Sequence, residues 1–221
     1  MGRRNRRRLE ALAALTPRVG RVADIGAGDL ELARLLLARG RAESVVAVER
    51  AEGAWRRAVE RARGDGRLEV RRGDGLDPVR AGEAEAAVLA GLGGTAIARI
   101  VQRAAVRRPP VLPPFLVINP TCQPEAAVAA ACVAGYAPER GAVVPEGRHL
   151  RLLVRLMREG GGQAVGVERD ADGLFRLEDD RAVRVAYAQE RLALLRRELG
   201  RTGAQRADVL ETWIDHLEGW L

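Results

Sequence analysis

The 221 residues include no lysine; all 37 basic residues are arginine. With so much Ala, Gly and Val beside them, this is the bias of a GC-rich genome, so the formal charge of +7 is weak evidence about fold. What it does argue for is a polyanionic partner, and the planar guanidinium fork suits phosphate. Long apolar runs are missing as well. None approaches the roughly 20 residues that cross a bilayer, which excludes a membrane-spanning helix. The opening "MGRRNRRRLE" is basic but has no apolar stretch behind it, so it is not a secretory signal, and a fold starting near Leu9 leaves little to cleave as a transit peptide. Cysteine is scarce. Cys122 and Cys132 stand ten apart in an Ala-rich segment, neither a redox pair nor a metal spacing. They are expected to be small buried residues in a reducing cytoplasm, without a disulfide. His149 and His216 have no cysteine at ligand spacing, so no metal is expected. Aromatics make up 3%, leaving few surfaces on which a base could stack.

What is present is a regular alternation. "RVADIG" (21–26), "SVVAVE" (44–49), "RLEVRRGDG" (67–75), "AEAAVLAG" (84–91) and "PPFLVINP" (113–120) read as strands. Between them lie helical segments at 30–40, 52–64, 93–106 and 124–135, and a short helix at 9–15 precedes the first strand. Continuous apolar strands alternating with helices predict a parallel sheet covered on both faces. "YAPERGAVVPEGRHLRLLVRLMR" (136–158) then has two extended runs with no helix between them, an antiparallel pair closing one edge. The predicted architecture is an α/β, Rossmann-like doubly wound sheet of the seven-stranded class I methyltransferase kind. Residues 1–159 form that domain. "REGGGQ" (158–163) is a flexible joint, and 165–221 form a C-terminal helical, coiled-coil-like domain. Within it, 184–200 and 204–221 read as a helical hairpin, with Trp213 and Trp220 on one helix face.

The stretch "RVADIGAGDLELARLL" (21–36) carries most of the chemistry. A glycine turn between strand and helix lets backbone approach a ligand and aims helix N–H groups at it. A dinucleotide fingerprint needs a small residue in its third glycine place for close helix packing. Glu31 stands there, which disfavours NAD. The shorter D-x-G-x-G, Asp24 to Gly28, suits S-adenosyl-L-methionine, which has no pyrophosphate to cradle. Glu49 ends the second strand 25 residues after Asp24, with Arg50 beside it. A carboxylate there can accept both ribose hydroxyls. Asp74 ends the third strand and can accept from the adenine amino group, with Gly73 and Gly75 leaving room for the ring. Gly91, Gly93 and Gly94 at the fourth-strand exit offer bare backbone to the methionine end or to substrate. Asp24, Gly26, Gly28, Glu49, Arg50, Gly73, Asp74, Gly75 and Gly91 are thus the expected cofactor residues, all at the carboxyl edge where open α/β sheets bind ligands.

These segments resemble the bacterial TrmK-type tRNA (adenine-22-N1)-methyltransferases. "VADIG" (22–26), "VERAEGAWRRA" (48–58), "RRGDGL" (71–76) and "LAGLGGTAI" (89–97) are similar to that family's strand-end motifs. "INPT" (118–121) stands where members carry Q-P-N, and "PEGRHLRLLVRL" (145–156) and the helical tail also resemble it. The family typically reads D-I-G-S-D-H-A-Y-L in the opening stretch, so its second Asp, His and Tyr fall on Gly28, Asp29 and Glu31. The resemblance implies a cytoplasmic enzyme that transfers methyl to N1 of adenine 22 in the tRNA D-arm, gripping the elbow with its arginines and helical hairpin. N1 already has an in-plane lone pair, and the methylated base is cationic. A nearby carboxylate stabilises it, and Asp29, next to the family's acid, is the candidate catalytic residue. Asp29 also suits an N-cap of the following helix. Arg3, Arg4, Arg6, Arg7 and Arg8 are candidate phosphate contacts or a solvated tail, and Asn119-Pro120 a pocket wall near the target base. A monomer is favoured. Two alternatives stay open: a noncatalytic RNA-binding relative, and a methyltransferase with another acceptor.

Overall fold

The computed structural model describes residues 3–146, 149–158, 176–177, 181–199, 210, 211, 213–215 and 217–219. In chain order the elements are α1 (Arg3–Leu15), β1 (Val19–Ile25), α2 (Glu31–Ala38), β2 (Ala42–Glu49), α3 (Glu52–Ala62), β3 (Leu68–Arg72) and β4 (Ala86–Ala90). There follow α4 (Gly94–Val106), β5 (Phe115–Asn119), α5 (Pro124–Val133), β6 (Tyr136–Glu146), β7 (His149–Arg158), β8 (Arg176–Leu177) and α6 (Arg181–Leu199). The sheet order is β3-β2-β1-β4-β5-β7-β6-β8. β1 to β5 pair in parallel, and β7 inserts antiparallel between β5 and β6. The expected seven strands are all there. β8 is an addition, two residues paired in parallel with Arg140 and Gly141 at the far edge.

Period-two alternation sends successive residues of each strand to opposite faces. Val22, Val45, Ala47, Ala86, Val88, Val117, Ala142 and Leu153 pack under α1, α2 and α3 with Leu12, Leu30 and Leu36. Ala23, Ile25, Val46, Val48, Ala87, Leu89, Leu116, Ile118, Leu152 and Val154 pack under α4, α5 and α6. Tyr187, Ala188, Leu192 and Leu195 of α6, with Leu210, Trp213, Ile214 and Leu217, share that second core. The helical tail therefore buries its apolar side on the sheet's helices. Glu125 of α5, which is buried, adds an ion pair with Arg191 of α6 at 2.8 Å.

Three expectations need correction. The first helix starts at Arg3, not Leu9, so the basic cluster forms its opening turns and is not a tail. Its closure is as expected: Thr16 Oγ1 donates to Leu12 O at 2.8 Å. Cys122 and Cys132 are exposed, because Cys122 lies in the β5–α5 loop and Cys132 on the outward side of α5. Asp29 does not cap α2. The cap position is Leu30, in the left-handed region at φ 63°, without a side-chain cap. Most of the joint (159–163), residues 204–209, His216 and Trp220 lie outside the described residues.

Charge pairing near the β3 edge ties stability to pH. Arg71 donates two hydrogen bonds to Glu83, at 2.8 and 2.5 Å, and Arg80 N donates a third at 2.9 Å. These hold the Glu83 carboxyl down to about 2 from an ordinary 4.5. A depressed carboxyl stabilises the fold fully above its unfolded value and loses that contribution as pH falls toward the folded value. Glu83→Gln is therefore expected to cost roughly 3 kcal/mol at pH 6 and almost nothing at pH 2, read by denaturant unfolding at both pH values.

Candidate functional site

The five parallel strands end on one side, and a cavity of about 520 Å³ opens there at the ends of four of them. It is lined by Gly26 after β1, Glu49 and Arg50 after β2, Gly73, Asp74 and Gly75 after β3, and Gly91 after β4, with Ala96, Arg99, Ile100 and Arg103 from α4. A second cavity of about 200 Å³ continues from it under the glycine loop, and Arg8, Gly26 and Ala90 border both. Asp24, Ala27, Asp29 and Glu31 line the smaller one.

The glycine loop is built by β2. Gly26 N and Ala27 N both donate to Val48 O, at 2.8 and 3.2 Å. Gly26 and Gly28 have φ of 78° and 50°, a conformation that costs a residue with a Cβ. Leu30 accepts the same cost, offset by complete burial of its side chain. Glu49 holds the loop from the other side. Its Oε2 accepts from Gly28 N at 3.2 Å and its Oε1 from Ala51 N at 2.9 Å. Each carboxylate oxygen has a second lone pair, so Glu49 keeps acceptor capacity while it shapes the loop.

Asp74 faces the same cavity but shares its charge, its Oδ2 lying 3.1 Å from Arg103 Nη2. Gly73 and Gly75 line the cavity and are also required by packing. A Cβ on Gly73 would fall 2.7 Å from Pro78 Cγ, and one on Gly75 2.6 Å from Ile100 Cγ1. Arg50 is exposed at the rim. Sequence reasoning missed Arg99 and Arg103, whose signal was available: they sit one turn apart on the helix that follows the glycines of β4.

Asp24 is 3% exposed, and its Oδ2 has no hydrogen-bond partner among the described residues. Burial pushes its carboxyl up to about 7 from 3.8, against the opposing pull of the Ala33 N–H and Arg8. A raised carboxyl pKa costs stability once pH exceeds the unfolded value, and the cost is complete above the folded one. Asp24→Asn is expected to leave the melting temperature unchanged near pH 4 and to raise it at pH 8, as thermal unfolding at the two pH values will test.

The remaining predicted residues divide. Asp29, half-exposed, places Oδ1 2.7 Å from Arg61 Nη1 and 4.0 Å from Arg57 Nε. Asn119 is 1% exposed and is not an open pocket wall: Nδ2 donates to Leu152 O at 3.1 Å, and Oδ1 accepts from Arg8 Nη1 at 3.1 Å. Pro120 is buried and borders neither cavity. Arg8 joins the cavities, whereas Arg6 and Arg7 are exposed on α1, Arg6 lying 3.9 Å from Glu10. Arg3 and Arg4 belong to the first turn of α1, and their side chains lie outside the described residues. His149 is exposed on β7. Among the described residues no group of three His, Cys, Asp or Glu side chains is placed to hold a metal ion. No helix there is long and apolar enough to cross a membrane.

Residues 5–150 match the family model of the methyltransferase domain. The chain belongs to that family. No curated protein matches the methyltransferase in sequence. Its fold is similar to that of the Bacillus subtilis m1A22 tRNA methyltransferase TrmK, at TM-score 0.69 and 18% identity over 100% of this chain and 98% of the other. The M. capricolum TrmK solved with S-adenosyl-homocysteine gives 0.69 and 15%, over 96% of each chain. A Streptococcus pneumoniae protein solved with S-adenosyl-L-methionine gives 0.70 and 22%, over 97% of this chain and 98% of that one. The methyltransferase thus has a fold similar to that of these proteins over nearly their whole length.

Proposed function

We propose that this chain is an S-adenosyl-L-methionine-dependent tRNA methyltransferase of the TrmK type, acting at N1 of adenine 22 in the D-arm. The observation that carries the reading is the joined pair of cavities at the carboxyl edge. One end presents Glu49 and Asp74, acceptors for ribose hydroxyls and an adenine amino group. The other end holds Asp24, a buried carboxylate with an oxygen still without a partner. A nucleoside joined to a cationic amino-acid end suits that order of groups, so the residues present fit the cofactor. When bound, it supplies an electrophilic methyl on a sulfonium.

The chain's own residues do the rest. Glu49 holds the loop and orients the ribose. Gly26, Gly28 and Gly91, each at positive φ, bring backbone close to the ligand. Fixing donor and acceptor in one geometry provides much of the acceleration of a displacement. Asp29, at the smaller cavity, faces the charge that develops on the methylated base, and its pairing with Arg61 reduces what it contributes. On this reading residues 1–159 form the cofactor-binding domain and 165–221 a helical domain that helps to hold tRNA, and the enzyme works in the cytoplasm.

The test is transfer of labelled methyl from S-adenosyl-L-methionine to unmodified bacterial tRNA, followed by nucleoside analysis. A 1-methyladenosine mapped to the D-arm is expected. Transfer to another acceptor, or none from a sample that binds the cofactor, would overturn the tRNA assignment.

A further inference from the structure

Several arginines around the carboxyl edge are already matched. Arg57 and Arg61 reach Asp29 at 4.0 and 2.7 Å, Arg72 lies 3.5 Å from Glu52, and Arg103 lies 3.1 Å from Asp74. Arg8 donates to Asn119 Oδ1 at 3.1 Å and has its Nε 3.1 Å from Glu146 Oε1. Arg50 and Arg99 are different. Both line the larger cavity and both are exposed, yet neither side chain has a hydrogen bond or ion pair among the described residues. They reach the mouth from two sides. Arg50 leads into α3, which packs on one face of the sheet, and Arg99 belongs to α4, which packs on the other.

Their charge is wrong for the cofactor. A methyl donor with a sulfonium, an ammonium and one carboxylate is a net cation, and the described part of the wall already sets four arginines against two carboxylates. Two unmatched guanidinium groups at that mouth repel a cation and concentrate an anion there. An RNA strand that turns one base out into the cavity leaves the flanking phosphates at the rim. We infer that Arg50 and Arg99 hold the phosphates on either side of the target nucleotide, and that this contact couples RNA binding to the charge of the cofactor. The inference rests on the tRNA reading above and names where the strand crosses the mouth. Each guanidinium offers a phosphate two parallel N–H donors without giving up a partner it already has. Once phosphate neutralises the pair, it no longer opposes a sulfonium. RNA therefore tightens the methyl donor and leaves the neutral product, S-adenosyl-homocysteine, little changed. By linkage the methyl donor tightens RNA by the same factor. Arg50, expected among the cofactor residues, is on this account a substrate residue.

The experiment measures binding, first of unmodified bacterial tRNA across a salt series. Arg50→Gln and Arg99→Gln are each expected to weaken tRNA about fivefold and to reduce the slope of log affinity against log salt by about 1. Arg18→Gln is the control and should bind like wild type. Arg18 is also exposed and unpaired among the described residues, but it lies directly before β1, at the amino end of the sheet. Calorimetric titration then compares S-adenosyl-L-methionine with S-adenosyl-homocysteine. Bound tRNA is expected to tighten the first about fivefold and the second by less than about twofold. Without tRNA, the protein carrying both substitutions should bind the methyl donor about threefold more tightly than wild type and its product equally well, a gain that a damaged fold cannot give. Single variants that keep the wild-type tRNA affinity and salt slope, or that lose no more than Arg18→Gln, overturn the phosphate contacts while the tRNA reading stands. A double variant that binds the two ligands in the wild-type ratio overturns the coupling. Wild-type protein that binds S-adenosyl-homocysteine but no tRNA overturns the inference and the tRNA reading together.

Discussion

Replacing Glu49 with alanine is expected to weaken binding of S-adenosyl-homocysteine by about 100-fold. Two ribose hydroxyls donating to a carboxylate make two charge-assisted hydrogen bonds, each worth about 1.5–3 kcal/mol. Every 1.4 kcal/mol lost is about tenfold in affinity. Alanine also removes the acceptor for Gly28 N, which loosens the loop that the ligand must press against. Glu49→Gln separates the two contributions. The amide keeps the shape and one acceptor oxygen, so the loop remains supported and the loss shrinks to about tenfold. Titration of both variants, with thermal unfolding of each free protein as the control for folding, checks this. An alanine variant that binds like wild type would remove Glu49 from the ribose site altogether.

Gly94→Ala is expected to cost at least about 3 kcal/mol and to lower the melting temperature by roughly 6–12 °C. Gly94 opens α4 directly beneath the loop that leads into α5. Its N–H donates to Cys122 O at 2.8 Å, and a Cβ there would fall 1.9 Å from Gln123 O, 2.7 Å from Gln123 C and 2.8 Å from Cys122 O. All three obstacles are backbone, so no side chain can swing away. Gln123 is also the left-handed cap of α5, at φ 49°, and has little freedom to yield. The two segments are joined a second time through Thr121 N and Leu92 O at 2.8 Å. Forcing them apart would disturb the exits of β4 and β5 together, so cofactor affinity should fall with stability. Gly66→Ala is the matched control. Its φ is ordinary and nothing lies within 4 Å of the added methyl, so its melting temperature should remain within a degree or two of wild type. The close approach of the two loops would be refuted by a Gly94→Ala protein that melts with the control.

The extent to which the site was legible varied with the range of the interactions involved. Glu49 and the glycines at 26 and 28 could be read along the chain, because a strand-turn-helix unit and an acid at the next strand end are local patterns. Gly73 and Gly75 were recognised as special at the cavity, but their packing neighbours were not legible. A glycine's need for space is visible in the sequence, whereas Pro78 and Ile100, which occupy that space, are brought there by packing. Asn119 was misread for a related reason. An asparagine at a strand end suggests a ligand contact, and only the seating of α1 reveals that Arg8 and Leu152 satisfy it. The cysteines erred in the opposite direction: an Ala-rich helix looks buried all round, and which of its sides meets the sheet depends on where it docks.

By itself, the sequence determined the alternation of strands and helices, the antiparallel closing pair and the carboxyl-edge location of the candidate site. Each follows from apolar periodicity and from turn residues acting over a few positions. Only the tertiary structure decided the partners. Arg8 stands 111 residues from Asn119 and 138 from Glu146, yet the three meet because α1 lies across strand ends that share one parity. No local propensity encodes such a meeting. It is set by the order in which strands pair and by the face on which each helix is buried, so the charges that surround the cavity were legible as residues and not as a cluster.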